Sequence, residues 1–197
     1  MKNNDIMLEG IFCVINDKDK EKLKKIRNEF LESFNSTLDN DFETRSSLVK
    51  KYFGNVGCNA FVEKPFYCDY GANINVGDNL YIGHDCNILD VTKVFIGNNV
   101  YFGPNVSIYT AAHIDDSTND KLEYGVSIGS DVWVGGNTVI TPGVNIGSNV
   151  IIGSYSVVVS DIPSNSMVSG NPCKVLRELN ENETRYLLEQ VKLGNNI

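Results

Sequence analysis

Two histidines, His84 and His113, are the side chains of this 197-residue chain that titrate nearest neutrality. An imidazole, with its pKa near ~6.5, accepts a proton from a weak oxygen nucleophile as that nucleophile attacks, so a histidine can serve as a general base. A three-histidine zinc site needs three distinct His positions, and each chain offers two, even if chains share ligands. The five cysteines, at 13, 58, 68, 86 and 173, contain no C-x-x-C pair and are odd in number. They read as reduced thiols serving as small apolar residues, and no metal is expected.

Something must hold these histidines, and the chain repeats. From Val76 to Pro163 large apolar residues recur at six-residue spacing: Val76, Ile82, Ile88, then Ile96, Phe102, Ile108, then Ile128, Val134, Ile140, then Ile146, Ile152, Val158. The fifth residue of each hexad is mostly small or β-branched. Glycine takes the second position at 77, 83, 97, 103, 129, 135, 147 and 153, a clear excess for a chain with 17 glycines. Leu89, Tyr109, Thr141 and Val159 replace it, each in the third hexad of a group, so the true period is three hexads. A chain that turns three corners and returns above itself has this period. It stacks short parallel strands into a triangular prism, with the first apolar residue inward and glycine releasing the backbone at the corner. Gly-Asp-Asn, Gly-Asn-Asn, Gly-Ser-Asp and Gly-Ser-Asn at matching places are turn signals that agree.

The groups start at 76, 96, 128 and 146, so the second coil carries surplus residues at about 114–127. Such an insertion leaves the prism as a loop, where function is often placed, and His113 stands at its root. Helices flank the repeats. Residues 18–34 carry Leu23, Ile26, Phe30 and Phe34 at helical spacing. A second helix is expected at about 41–53, capped by Asp39 or Asn40, and a third at 181–193, stopped by Gly194. The domain reading is a helical cap segment over 1–60, a parallel β-helix over 61–178, and a C-terminal helix and tail over 179–197. Charged residues make up 21% and the net charge is −8, so nucleic acid is an unfavourable partner. No apolar run approaches the ~20 residues of a membrane span, and the start does not read as a signal peptide, so a cytoplasmic protein is expected.

The motifs on this frame resemble the maltose/galactoside/nodulation O-acetyltransferase group of the hexapeptide-repeat acyltransferases. The resemblance rests on Pro65-Phe-Tyr-Cys-Asp-Tyr-Gly-Ala-Asn-Ile-Asn-Val-Gly-Asp-Asn79, Phe102-Gly-Pro-Asn-Val-Ser-Ile-Tyr-Thr-Ala-Ala-His113, Leu122-Glu-Tyr-Gly125, Asp131-Val-Trp-Val-Gly-Gly136 and Gly170-Asn-Pro-Cys-Lys-Val-Leu-Arg-Glu178. It covers nearly the whole chain. It implies a mainly β fold, a left-handed parallel β-helix with a helical N-terminal cap, assembled as a homotrimer with acetyl-CoA between neighbouring prisms. The acceptor implied is a sugar or glycoside hydroxyl.

By the same resemblance, His113 is the catalytic base and Glu123 its orienting partner. Asp69 and Asp90 are acceptor-side candidates, although each has a rival reading in which it satisfies turn N–H groups. Trp133 matches a tryptophan that walls the site, with intersubunit packing as its alternative. Gly136, Ser154, Lys174 and Arg177 match positions that contact coenzyme A. The chain departs from the group at Gly83-His84-Asp85, where Asn-Phe-Asn is common, and near Val14, where an acidic residue is common. Val159-Ser160 replaces a common Thr-Lys. A changed acceptor is inferred, with an amino sugar or a xenobiotic as alternatives and a non-catalytic trimeric scaffold as the rival outside catalysis. His84 reads as a polar residue on the prism face.

Overall fold

Strands of two to four residues bury little alone, and this chain makes them stable by stacking one coil on the next. The computed structural model describes the backbone of residues 17–115, 120–181 and 183–195, and side chains over 21–111, 124–181 and 183–190. The expectations at Cys13 and Val14, and those for the side chains of His113 and Glu123, lie outside the described residues.

Three parallel faces form the prism. The first stacks Asn55–Val56, Ile74–Val76, Val94–Ile96, Val126–Ile128 and Asn145–Ile146. The second stacks Phe61–Val62, Leu80–Ile82, Val100–Phe102, Val132–Val134, Val150–Ile152 and Ser166–Ser169. It ends with an antiparallel strand, Lys174–Glu178. The third stacks Phe66–Cys68, Cys86–Leu89, Ser107–Tyr109, Val139–Ile140 and Val157–Val158. Register is strict: on the second face Val62, Ile82, Phe102, Val134, Ile152 and Val168 lie one above another. The prism begins at Asn55, ahead of the boundary expected at 61. Val56, Val62 and Cys68 precede Val76, Ile82 and Ile88 by 20 residues each, so the first coil was present in the spacing.

All twelve first-position residues are at most 4% exposed and form the core. Fully burying an aliphatic side chain of this kind contributes roughly 1.5–3 kcal/mol. Among the fifth positions with described side chains, Thr92, Thr138 and Ser156 are buried with their apolar counterparts. Cys68, Cys86 and Cys173 are buried as expected of small apolar residues, whereas Cys58 is exposed.

The corners correct one expectation. None of the eight repeat glycines adopts a positive φ; the left-handed residue follows two places later, an Asn or Asp after seven of them and Tyr155 after Gly153. Asn79, Asn99, Asp131 and Asn149 have φ of 57°, 54°, 57° and 54°, a region these side chains tolerate. The glycines have a different cause. A β-carbon on Gly97 would stand 2.7 Å from the Gly129 carbonyl carbon of the next coil, and one on Gly57 would stand 2.5 Å from that of Gly77. Coils approach backbone to backbone at the corners, and glycine leaves room for it. The left-handed residues then bond along the axis: Asn59 Nδ2 donates to Asn79 Oδ1 at 3.0 Å, Asn79 Nδ2 to Asn99 Oδ1 at 2.9 Å, and Asn99 Nδ2 to Asp131 Oδ1 at 2.9 Å.

Two helices pack on the first coil and the third lies against the second face. Helix α1 (Asp17–Asn35) buries Phe30 and Phe34, whose rings meet Phe66 at centroid distances of 6.5 and 6.2 Å. Ile26, expected on the same stripe, is exposed. Helix α2 (Phe42–Tyr52) is capped by Asp41, whose Oδ1 accepts from Thr44 N at 3.2 Å, one residue later than the expected cap. Asp39 lies instead in the connecting turn, whose carbonyls at Leu38 and Asp39 accept from the buried Arg45 at 2.7 and 2.9 Å. Helix α3 (Glu183–Asn195) continues through Gly194, which therefore does not stop it. Thr184 and Leu188 are buried in it, and Tyr186 is exposed. Among the described residues no helix is long and apolar enough to cross a membrane.

Candidate active site

The edge where the third face turns into the first is the one that swells. In the first coil residues 69–73 fill it, in the second residues 90–93, and in the third a two-stranded antiparallel ribbon projects. The ribbon pairs Ala111–Asp115 with Asp120–Glu123, so the insertion begins before residue 114 and ends before Val126, which already belongs to the first face. Ala111 lies opposite Glu123 and His113 opposite Lys121, which makes His113 and Glu123 a diagonal pair of this ladder. Thr110, fully buried, roots the ribbon: its carbonyl accepts from Tyr124 N at 2.8 Å, and its hydroxyl donates to Leu89 O at 2.8 Å and accepts from Thr92 N at 3.0 Å.

Asp69 stands on this edge with its carboxylate partly exposed, and Arg27 of α1 lies 3.9 Å from it. Asp90 does something else. It is fully buried; Oδ1 accepts from Asp69 N at 3.0 Å and Tyr70 N at 2.8 Å, and Oδ2 accepts from Asn73 N at 3.2 Å. The carboxylate thereby satisfies turn N–H groups, which is one of the two readings open for it. Burial pushes its pKa up to about 6, with the backbone N–H donors at Tyr70, Gly71 and Asn73 opposing that rise.

The opposite edge of the third face, where the second face turns into it, carries the other set. Gly83, Gly103, Gly135 and Gly153 stack there, followed at each level by His84, Pro104, Gly136 and Ser154. Gly136 O accepts from Tyr155 N at 3.0 Å, tying these two levels. A β-carbon on Gly83 would stand 2.9 Å from Pro104 N, so the glycine suits a close approach of coils. His84 is half exposed, and its Nδ1 lies 2.7 Å from Asp85 Oδ2, a local pairing that agrees with the reading of a satisfied surface histidine.

Trp133 sits at the middle of the second face in an axial stack of rings. Phe61 and Tyr81 are 5.6 Å apart between centroids, Tyr81 and Tyr101 4.7 Å, and Tyr101 and Trp133 4.3 Å, close to the spacing of neighbouring strands. Beside this stack is a groove of about 840 Å³ lined by Phe42, Phe61, Tyr81, Tyr101 and Leu188 among others. Asp69 is not among the described residues that line it. Lys174 and Arg177 belong to the exposed final strand, with Lys174 opposite Ser169. Arg177 Nη1 donates to Glu183 Oε2 at 2.9 Å, and this bond holds the Glu183 carboxyl below its usual range.

Of the expected site residues, one prism thus groups His113, Glu123, Asp69 and Asp90 on one edge and Gly136 and Ser154 on the next, with Lys174 beyond Ser154. Arg27, Asn73 and Thr110 were not anticipated. Nothing in the local sequence marks Arg27 or Asn73, while Thr110 departs from the usual spacing only by preceding the insertion.

A family model described as bacterial transferase hexapeptide (six repeats) matches residues 125–160. Nodulation protein L of Rhizobium meliloti is 46% identical over 150 residues, which is 74% of this chain and 82% of that protein. A solved maltose O-acetyltransferase from Clostridium difficile superposes with a TM-score of 0.84 and 42% identity, covering 92% of this chain and 99% of its own. A galactoside acetyltransferase solved in complex with coenzyme A gives 0.84 and 34%, covering 93% and 94%.

Proposed function

Since the chain belongs to the hexapeptide-repeat acetyltransferases, built on the left-handed parallel β-helix and including the maltose and galactoside O-acetyltransferases, we propose that it moves an acetyl group from acetyl-CoA to a hydroxyl of a sugar or glycoside. The observation that carries this reading is the match, over nearly the full length of both chains, to the acetyltransferase solved with coenzyme A.

In the proposed reaction both substrates are held together and no acyl-enzyme forms. His113 accepts the proton of the acceptor hydroxyl as its oxygen attacks the thioester carbonyl. The carbonyl oxygen becomes an oxyanion, stabilised by a backbone N–H of a glycine-rich turn. Collapse re-forms the carbonyl and expels the coenzyme A thiolate, which takes the proton back from the imidazolium. Glu123, diagonal to His113 in the ribbon, orients or charge-balances the imidazole. Full kcat in Glu123→Ala would remove that role. Asp69 contacts the acceptor, and Trp133 walls the site. Gly136, Ser154, Lys174 and Arg177 hold coenzyme A, with Arg177 exchanging Glu183 for a phosphate oxygen.

The separation of the two edges supports a shared site. The strands of the third face are two to four residues long, on the order of 7–13 Å, and lie between the His113 ribbon and the column of Gly136 and Ser154. A neighbouring prism that brings its ribbon against the other edge closes this gap, so the active form is read as a homotrimer. Sedimentation equilibrium should give three times the 21.8 kDa chain mass, and a monomer would sink the shared-site model.

The test of function is release of free thiol from acetyl-CoA against sugars, glycosides, amino sugars and xenobiotic hydroxyl compounds. Turnover that depends on a sugar hydroxyl supports the proposal. Turnover only with amines or xenobiotics redirects it to those acceptors. Absence of both turnover and acetyl-CoA binding would leave the scaffold reading.

A further inference from the structure

The buried carboxylate of Asp90 has no place in the reaction as drawn, yet it is bonded to the loop that carries Asp69. Three backbone N–H groups, of Asp69, Tyr70 and Asn73, converge on its two oxygens. Asn73 answers from the other direction, its Nδ2 donating to the carbonyls of Asp90 at 2.9 Å and Val91 at 3.2 Å. The loop at 69–73 is therefore clamped to the second coil from both ends. That same stretch of the second coil receives the ribbon: Thr110 donates to Leu89 O from both its backbone N and its hydroxyl, and accepts from Thr92 N. Residues 89–92 are thus a common platform under the loop bearing Asp69 and under the strand bearing His113.

A neutral turn could be closed by a serine or an asparagine at lower desolvation cost. An ionised acceptor makes shorter and stronger bonds to N–H groups, and two oxygens fix the loop at three points instead of one. We propose that Asp90 is a positioning residue for acetyl transfer, acting through Asp69: it sets the place of the acceptor-side carboxylate relative to the His113 ribbon and touches neither substrate. This deepens the acetyltransferase reading and rests on it. The geometry matters because a misplacement of about 1 Å between reacting groups lowers rate by up to about 10²-fold.

The test is steady-state kinetics on the full chain with the best acceptor from the panel above, for wild type, Asp90→Asn, Asp69→Ala and the double variant. Asp90→Asn turns one oxygen into an N–H₂ donor, which faces a backbone N–H and releases that end of the loop. The expected result is a drop of about ten-fold or more in kcat/KM for the acceptor with the KM for acetyl-CoA unchanged. The double variant should be no worse than Asp69→Ala alone, because the clamp then has nothing to position. Equal loss on the acetyl-CoA side, multiplicative losses in the double variant, or an Asp69→Ala protein with normal acceptor kinetics would each overturn the inference. Should Asp90→Asn fail to fold, Asn73→Ala decides. It removes the opposing half of the clamp, leaves Asp90 in place, and should show the same acceptor-selective loss to a lesser degree. A wild-type chain without acetyl-CoA-dependent turnover defeats the acetyltransferase reading itself, an outcome visible before any variant is compared.

Discussion

Replacing His113 by alanine is expected to lower kcat by about 10²–10⁴, the scale on which a general base contributes. A sugar hydroxyl holds its proton tightly at neutral pH, and direct attack on the thioester builds positive charge on that oxygen unless a base removes the proton. The chain has one other imidazole, that of His84, whose Nδ1 is engaged by Asp85 Oδ2 at 2.7 Å. Substitution of His84 is accordingly expected to leave kcat nearly intact. The ribbon is a two-stranded ladder separate from the three stacked sheets, so His113→Ala should keep its melting temperature and its KM for acetyl-CoA. Loss of kcat together with retained acetyl-CoA binding is the pattern that identifies a base. A variant with wild-type kcat would show that another group, or water, takes the proton.

The second large effect is on stability. Gly97→Ala adds one methyl group to a corner residue whose β-carbon would stand 2.7 Å from both the carbon and the oxygen of the Gly129 carbonyl. These are backbone atoms held in the ladders of two successive coils, so they move only by spreading the stack. At a permissive site the same exchange stabilises by about 0.4–1 kcal/mol, because the unfolded chain loses freedom. Here overpacking dominates, and a net loss of about 2–3 kcal/mol is expected. Urea titration should show a lower midpoint with an unchanged slope. Asn99→Gly, two residues on, keeps the left-handed turn open and gives up only side-chain bonds of the ladder, so it should cost less. A neutral Gly97→Ala would mean that the corners are not held at backbone contact.

The repeat was legible because stacking makes the same demand at every level. A residue at the first position of a hexad meets its copies above and below in a closed interior, and only an apolar side chain is tolerated there. That demand recurs every six residues and is visible without coordinates at Val76, Ile82 and Ile88 as at Ile146, Ile152 and Val158. The first coil, at Val56, Val62 and Cys68, obeys the same spacing. It is less conspicuous because Gly57 is its one second-position glycine, with Glu63 and Asp69 in the other two slots. In a sequence, a glycine beside an Asn or Asp suggests a freed backbone, but the crowding between successive coils exists only once they are stacked.

The site was legible to a different depth. His113 stands at the root of an insertion visible in the spacing, Glu123 is linked to it only by the family motif Leu122-Glu-Tyr-Gly125, and the antiparallel register makes them diagonal neighbours. Asp69 and Asp90 looked alike in sequence, each an acidic residue after a third-face strand. Packing separates them: Asp69 keeps a partly exposed carboxylate beside Arg27, and Asp90 turns inward to three backbone N–H groups.

By itself, then, the sequence determined the period, the inward residues, the place of the insertion and the family motifs, because each follows from a local rule applied at every coil. Which edge of the prism each polar residue occupies, and whether it faces outward or holds a neighbouring loop, was decided by the tertiary structure. Residues some 20 positions apart become neighbours only when one coil closes over another, and burial with hydrogen bonding then assigns their roles.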